Sequence, residues 1–139
     1  MDSDNRRVRI VRYTMAAVAI GFGLMTLKAG GSVLFGPEKA RRAAGDYVPF
    51  VVWFNFAAGF AYIAAGVGLA MKSRWARWLA ALVAAGSAIT YAAFGVHIFT
   101  GGAYEMRTVV AMAIRTGLWI VIALLAFGLS VARGPAIEG

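Results

Sequence analysis

Four long apolar runs constrain this chain more than any other feature. They are "YTMAAVAIGFGLMTLKAGGSVLF" at about 13–35, "VPFVVWFNFAAGFAYIAAGVGLAM" at about 48–71, "WLAALVAAGSAITYAAFGVHIF" at 78–99, and a run at about 108–132. A helix needs roughly 20 residues to cross about 30 Å of hydrocarbon, so each run is long enough to span. Inside a bilayer every backbone N–H and C=O must be paired within the protein, which restricts spanning segments to helices and closed barrels. Runs of this length are too long for barrel strands, and helices are expected. Composition agrees: 61% of the 139 residues are hydrophobic and 14% are charged, against about 45–50% and about 25% in soluble domains. Such a chain cannot cover itself with charge, so its apolar surface must face lipid.

The expected fold is therefore all-α: one integral-membrane domain over 1–139, a four-helix bundle running up-down-up-down. The basic start, Arg6 to Arg12, resembles that of a signal peptide. The apolar run behind it exceeds the 7–15 residues of a signal h-region and lacks a clear small-residue cleavage site. The first span is therefore expected to be retained. Flanking cations set the orientation. Arg6, Arg7, Arg9 and Arg12 precede the first span, Lys72, Arg74 and Arg77 separate the second from the third, and Arg133 follows the fourth. Those eight belong on the cytoplasmic side, which puts both termini there. The opposite loops mix Lys39, Arg41, Arg42 and Arg107 with Glu38, Asp46 and Glu105.

The first outer loop, "GPEKARRAAGDY", reads as a short amphipathic helix along the surface. Pro37 suits a first helical position, Glu38 the first turn, Arg41 and Arg42 the last turn, and Gly45 the stop. Small residues recur every four positions in the second span (Ala57, Ala61, Ala65, with Gly66) and in the third (Ala84, Ala88, Ala92, with Ala81 and Ala85). Rows of this kind let backbones approach closely in lipid, so the second and third helices are expected to pack along them.

Several classes of chemistry drop out. There are no cysteines, hence no disulfides, thiolate metal sites or cysteine nucleophiles. The single histidine, His97, cannot form a multi-histidine metal site or supply both axial ligands of a haem. No paired carboxylates lie inside the spans, and GxSxG, HExxH and P-loop patterns are absent, so a catalytic site is not expected. The net charge of +8 is assigned to topology and anionic lipid, because no basic stripe with interleaved aromatics suggests nucleic acid.

Polar residues inside the spans cluster toward one membrane face. Lys28 lies near the outer end of the first span, Asn55 seven residues into the second, and His97 near the outer end of the third with Tyr91 deeper. Arg115 lies eight residues beyond Arg107 in the fourth, roughly 12 Å along the helix. Ser87, Thr90, Phe94 and His97 share one helical face, as do Thr108, Met112, Arg115 and Trp119. Turned inward, these faces would form a polar pocket below the outer surface. Intramembrane ionisable groups usually face a bundle interior and mark function. The simpler roles are snorkelling for Lys28, a loop-carbonyl hydrogen bond for His97, interhelical bonding for Asn55 and a surface pair for Glu105. Arg115 is too deep to snorkel comfortably and has no carboxylate at i±3 or i±4, so its partner must come from another helix, a loop or a ligand. Lys28, Asn55, Tyr91, His97, Glu105 and Arg115 are thus the candidate ligand-binding residues. Their net positive charge suits a quinone, a lipid head or a small anion, and arginine's planar fork fits paired oxygens.

The four-helix layout, the glycine-rich second span "FNFAAGFAYIAAGVGL" and the stretch "GGAYEMRTVVAMAIRT" resemble the small bacterial membrane proteins grouped as DoxX-like. The resemblance covers most of the chain in architecture and about 30 residues in motif. It implies a bacterial inner-membrane protein associated with quinone-linked redox systems. It carries over no catalytic residue. Three functions follow as expectations. The leading one is a non-catalytic subunit or binding protein with a polar, net-cationic pocket in the outer leaflet. The second is a homo-oligomeric transporter or channel, although the scarcity of polar groups in the inner half argues against a continuous pore. The third is a structural or assembly subunit of a larger membrane complex.

Overall fold

The structure, a computed structural model, describes residues 2–132 and the side chains of 3–129. Arg133, one of the flanking cations, lies outside the described residues. Five helices follow in order: α1 (Asp2–Phe35), α2 (Glu38–Ala44), α3 (Pro49–Ala70), α4 (Arg74–Phe99) and α5 (Met106–Ala132). Among the described residues there is no strand. The four long helices are each long and apolar enough to cross a membrane.

The first helix starts about ten residues earlier than its apolar run suggests. Its 34 residues amount to roughly 50 Å of helix, well beyond the hydrocarbon thickness of about 30 Å. The basic segment is therefore a helical extension rather than a loose tail. Ser3 and Asp4 stand in its first turn, where a hydroxyl and a negative charge suit the exposed N–H groups and the helix dipole. At its other end α2 forms as expected. Pro37 precedes it as the N-cap, Glu38 and Arg42 pair at 3.1 Å, and Gly45 ends it at φ 70°.

The tightest helix pair is α1 with α3, which differs from the pairing expected from the alanine rows. In those rows Ala65 and Ala84 are buried, whereas Ala57, Ala88 and Ala92 face outward. Close approach comes instead from glycines on α1 and α3. A methyl group on Gly23 would sit 2.9 Å from the Gly59 carbonyl oxygen and 2.8 Å from Ile63 Cγ1. One on Gly59 would meet the Gly23 carbonyl at 3.3 Å, and one on Gly66 the Ala16 carbonyl at 3.0 Å. Backbone rests on backbone along two turns of both helices. A four-residue repeat of alanine marks a smooth face without specifying whether protein or lipid covers it.

Helices α3 and α4, then α4 and α5, pack side by side, but α1 touches α5 only sparsely. The ring of four long helices is thus closed on three sides and loosely seamed on the fourth. Across its middle, Tyr62 of α3 meets Trp119 of α5 with ring centroids 4.7 Å apart, and both are fully buried. These two rings, with Met15, Ala19, Ala65, Val83 and Ile122, form the main core. A smaller cluster of Val48, Val51, Phe94 and Met112 adjoins the end that carries α2.

A cationic cleft between α1 and α5

The helical face predicted on α5 does turn inward. Met112, Arg115 and Trp119 are buried and Thr108 is half-buried. Arg115 stands nine residues into α5 and is only 8% exposed. Its Nη2 donates to Thr26 Oγ1 of α1 at 3.3 Å. Its guanidinium carbon lies 5.4 Å from the centre of the Phe22 ring and 5.8 Å from that of Tyr62. Both separations fall within cation–π range. Its Nε and Nη1 are buried without a hydrogen-bond partner. Among the described residues no carboxylate is within ion-pair distance of it.

Magnitudes show how incompletely this charge is accommodated. Placing an arginine at the centre of a spanning helix costs about 2.5–3.5 kcal/mol on insertion scales. A hydrogen bond to a charged group returns about 1.5–3 kcal/mol, and a desolvated cation–π contact about 2. The surroundings therefore offset the burial of the guanidinium, but they do not neutralise it, and two nitrogens keep unused donors.

Arg115 forms part of the wall of a cavity of about 260 Å³. Thr26, Ala29 and Gly30 line it from α1, Val52 and Asn55 from α3, and Thr108 and Ala111 from α5. Asn55 Oδ1, on the same wall, is likewise buried without a partner. Tyr47, Glu105 and Arg107 complete the wall at the α2 end.

At that end two polar straps tie the 43–46 segment to residues 105 and 107 at the start of α5. Glu105 Oε1 accepts from the Asp46 backbone N–H at 2.9 Å. Arg107 Nη2 donates to the carbonyl oxygens of Ala43 and Ala44 at 3.2 and 3.4 Å, capping the last turn of α2 with a cation, as the helix dipole favours. Gly45 is required twice over: its φ of 70° belongs to glycine, and any side chain there would run into the Glu105 carboxylate. Glu105 thus fastens a loop and is not the counter-charge of Arg115.

The six candidates separate into two groups. Arg115, Asn55 and Glu105 share the cavity; Lys28, Tyr91 and His97 are not part of its lining. Lys28 is exposed on the outside of α1, roughly 160° around the helix from Thr26 at 100° per residue. Tyr91 packs half-buried against the Val48–Phe94 cluster. His97 Nε2 donates to the Ala103 carbonyl at 2.9 Å, and its ring lies against Gly102 so closely that a side chain there would overlap it. With Gly101 at φ 87°, this histidine braces the α4–α5 turn.

Two residues set against Arg115, Thr26 and Tyr62, do not stand out from sequence. Thr26 is one hydroxyl in an apolar run, and its role depends on which face of α1 meets α5. Tyr62 is fully buried, and so is Ser87 on the face of α4 expected to turn inward. Tyr62 lies seven residues after Asn55, two helical turns along the same face, and that spacing was the available signal. The other end of the bundle also holds more polarity than its sequence suggests. Arg12 is buried, and Arg77 lies 5.8 and 5.5 Å over the rings of Trp78 and Phe127. Among the described residues no cluster of three metal-binding side chains occurs. No family model, curated protein or solved structure matches the chain.

Proposed function

We propose that this chain is a non-catalytic multi-pass membrane protein that binds the polar head of a membrane-borne ligand (a quinone, a lipid head or a small anion) in the cleft walled by α1, α3 and α5. The observation that carries this reading is Arg115: a cation nine-tenths buried at a cavity wall, with two donor nitrogens free and no counter-charge beside it among the described residues. A purely structural arginine would be expected to spend its donors on carbonyls or carboxylates of neighbouring helices. Asn55, with its unpartnered carbonyl oxygen on the same cavity, would orient the head.

In this reading the helices run up-down-up-down. The three-residue connection between α3 and α4, and contacts such as Trp78 with Phe127 and Phe94 with Met112, support that order. The cations around α1's start and the α3–α4 turn place that end, with both termini, in the cytoplasm. The cleft then lies under the outer face of a bacterial inner membrane. The likeness to DoxX-like proteins supports a setting beside quinone-linked redox enzymes, with the chain as a subunit of such a complex.

The test is mass spectrometry of small molecules retained by the purified protein, compared with Arg115→Ala and Asn55→Ala. The reading expects a retained ligand in the wild type that is lost from both variants while their helical content persists. Equal retention by both variants would remove it.

A further inference from the structure

The cleft itself narrows the choice of ligand, granted the reading above. Its volume, about 260 Å³, falls just below the roughly 300–1,000 Å³ of pockets that enclose a small molecule. It can hold a head group but not a whole amphiphile. The rest of any amphiphile must leave the cavity, and the structure offers one direction. The α2 end is strapped by Glu105 to Asp46 and by Arg107 to the last carbonyls of α2. On the α3 side, α1 and α3 pack closely at the cavity's own level, where a methyl group on Gly30 would meet Phe56 Cβ at 3.3 Å, and just beneath it they abut backbone to backbone through Gly23 and Gly59. Between α1 and α5, contact is sparse, and the small side chains Ala29 and Ala111 both line the cavity while remaining exposed. The way out is therefore sideways, into the bilayer.

Charge selects among heads. Arg115 and Arg107 bring two positive charges to the lining and Glu105 one negative, leaving the cavity net positive. Glu105 is turned to the Asp46 amide. A neutral carbonyl head would use the free donors of Arg115 but leave its charge uncompensated in a medium of low dielectric. A carboxylate or a phosphate would do both, and the guanidinium fork matches either.

We infer that the occupant is an anionic lipid of the bilayer, with its oxyacid head against Arg115 and its acyl chain lying along the α1–α5 seam beside Ala29 and Ala111. The full-length protein, purified in a neutral detergent, tests this with defined probes. Oleate and dioleoyl phosphatidate supply an anion with a chain. Oleyl alcohol, dioleoyl phosphatidylcholine and decylubiquinone supply a chain without net charge, and acetate and inorganic phosphate supply an anion without a chain. Binding is read by thermal shift and by native mass spectrometry, on wild type, Arg115→Gln and Ala111→Phe.

The expected result is a rise in melting temperature of several degrees and a bound adduct only with oleate or phosphatidate. Affinity should fall at least tenfold in both variants. Ala111→Phe adds bulk at an exposed position, so it blocks the seam without threatening the fold. Three results would overturn the inference: decylubiquinone binding as well as oleate, chainless anions binding as well as oleate, or Ala111→Phe binding oleate like wild type. The first two would leave the broader binding function standing with a different ligand. Failure of every probe on the wild type, with no retained ligand in the purified protein, would sink the broader function as well.

Discussion

Replacing Gly23 by alanine tests whether α1 and α3 meet as closely as the cleft requires. The new methyl carbon would stand 2.9 Å from the Gly59 carbonyl oxygen, 2.8 Å from Ile63 Cγ1 and 3.1 Å from Tyr62 Cβ. An ordinary van der Waals contact begins at about 3.4 Å, so the overlap is about half an ångström. Ile63 can change rotamer, but the carbonyl is held in the α3 hydrogen-bond ladder and can yield only if the helices part. Overpacking of this kind costs about 1–3 kcal/mol. Opposing it is the helix preference of alanine over glycine, up to about 1 kcal/mol. Gly21→Ala isolates that second effect, since it lies on the same helix with nothing within 4 Å of its added methyl. Gly23→Ala should therefore be less stable than Gly21→Ala by about 1–3 kcal/mol in reversible unfolding from mixed micelles. Parting α1 from α3 should also carry Thr26, three residues on, away from Arg115, whose bond to it is already 3.3 Å long. If the two alanine variants prove equally stable, the contact is not tight and the cleft's closed wall is wrongly placed.

Other positions give independent checks. Gly45→Ala should free the 43–47 segment, because φ 70° with ψ −137° is a backbone conformation essentially confined to glycine, costing another residue about 1–3 kcal/mol, and the added methyl group displaces Glu105; faster hydrogen exchange at Asp46 would show it. Glu105→Gln keeps the acceptor for the Asp46 amide and should leave that exchange nearly unchanged, whereas Glu105→Ala should raise it as Gly45→Ala does. Trp119→Phe removes a buried N–H without a partner while keeping most of the contact with Tyr62. Its cost in thermal unfolding should stay below about 1.5 kcal/mol, and a much larger loss would show that the indole N–H is bonded. Lys28→Met, on the outside of α1, should retain whatever small molecule copurifies with the wild type, and losing it would bring Lys28 back into the site.

The spans could be read from the sequence because the bilayer imposes a length and an apolar threshold on each segment separately. The short α2 could be read for a similar reason, since a proline, a glycine and two arginines act locally. The inward face of α5 follows from helical periodicity alone, so Arg115 is legible as a buried charge without knowledge of its neighbours. Which residues share one cavity is a different kind of fact. Lys28 and Thr26 sit two residues apart on α1, but one faces outward and the other meets Arg115, because the glycines of α1 and α3 set the rotation of that helix. In water, hydrophobicity would have told the buried face from the exposed one. In lipid both faces are apolar, so that signal vanishes. Only the packing of α1 on α3, and the loose seam it leaves against α5, decided where a buried arginine could meet a ligand.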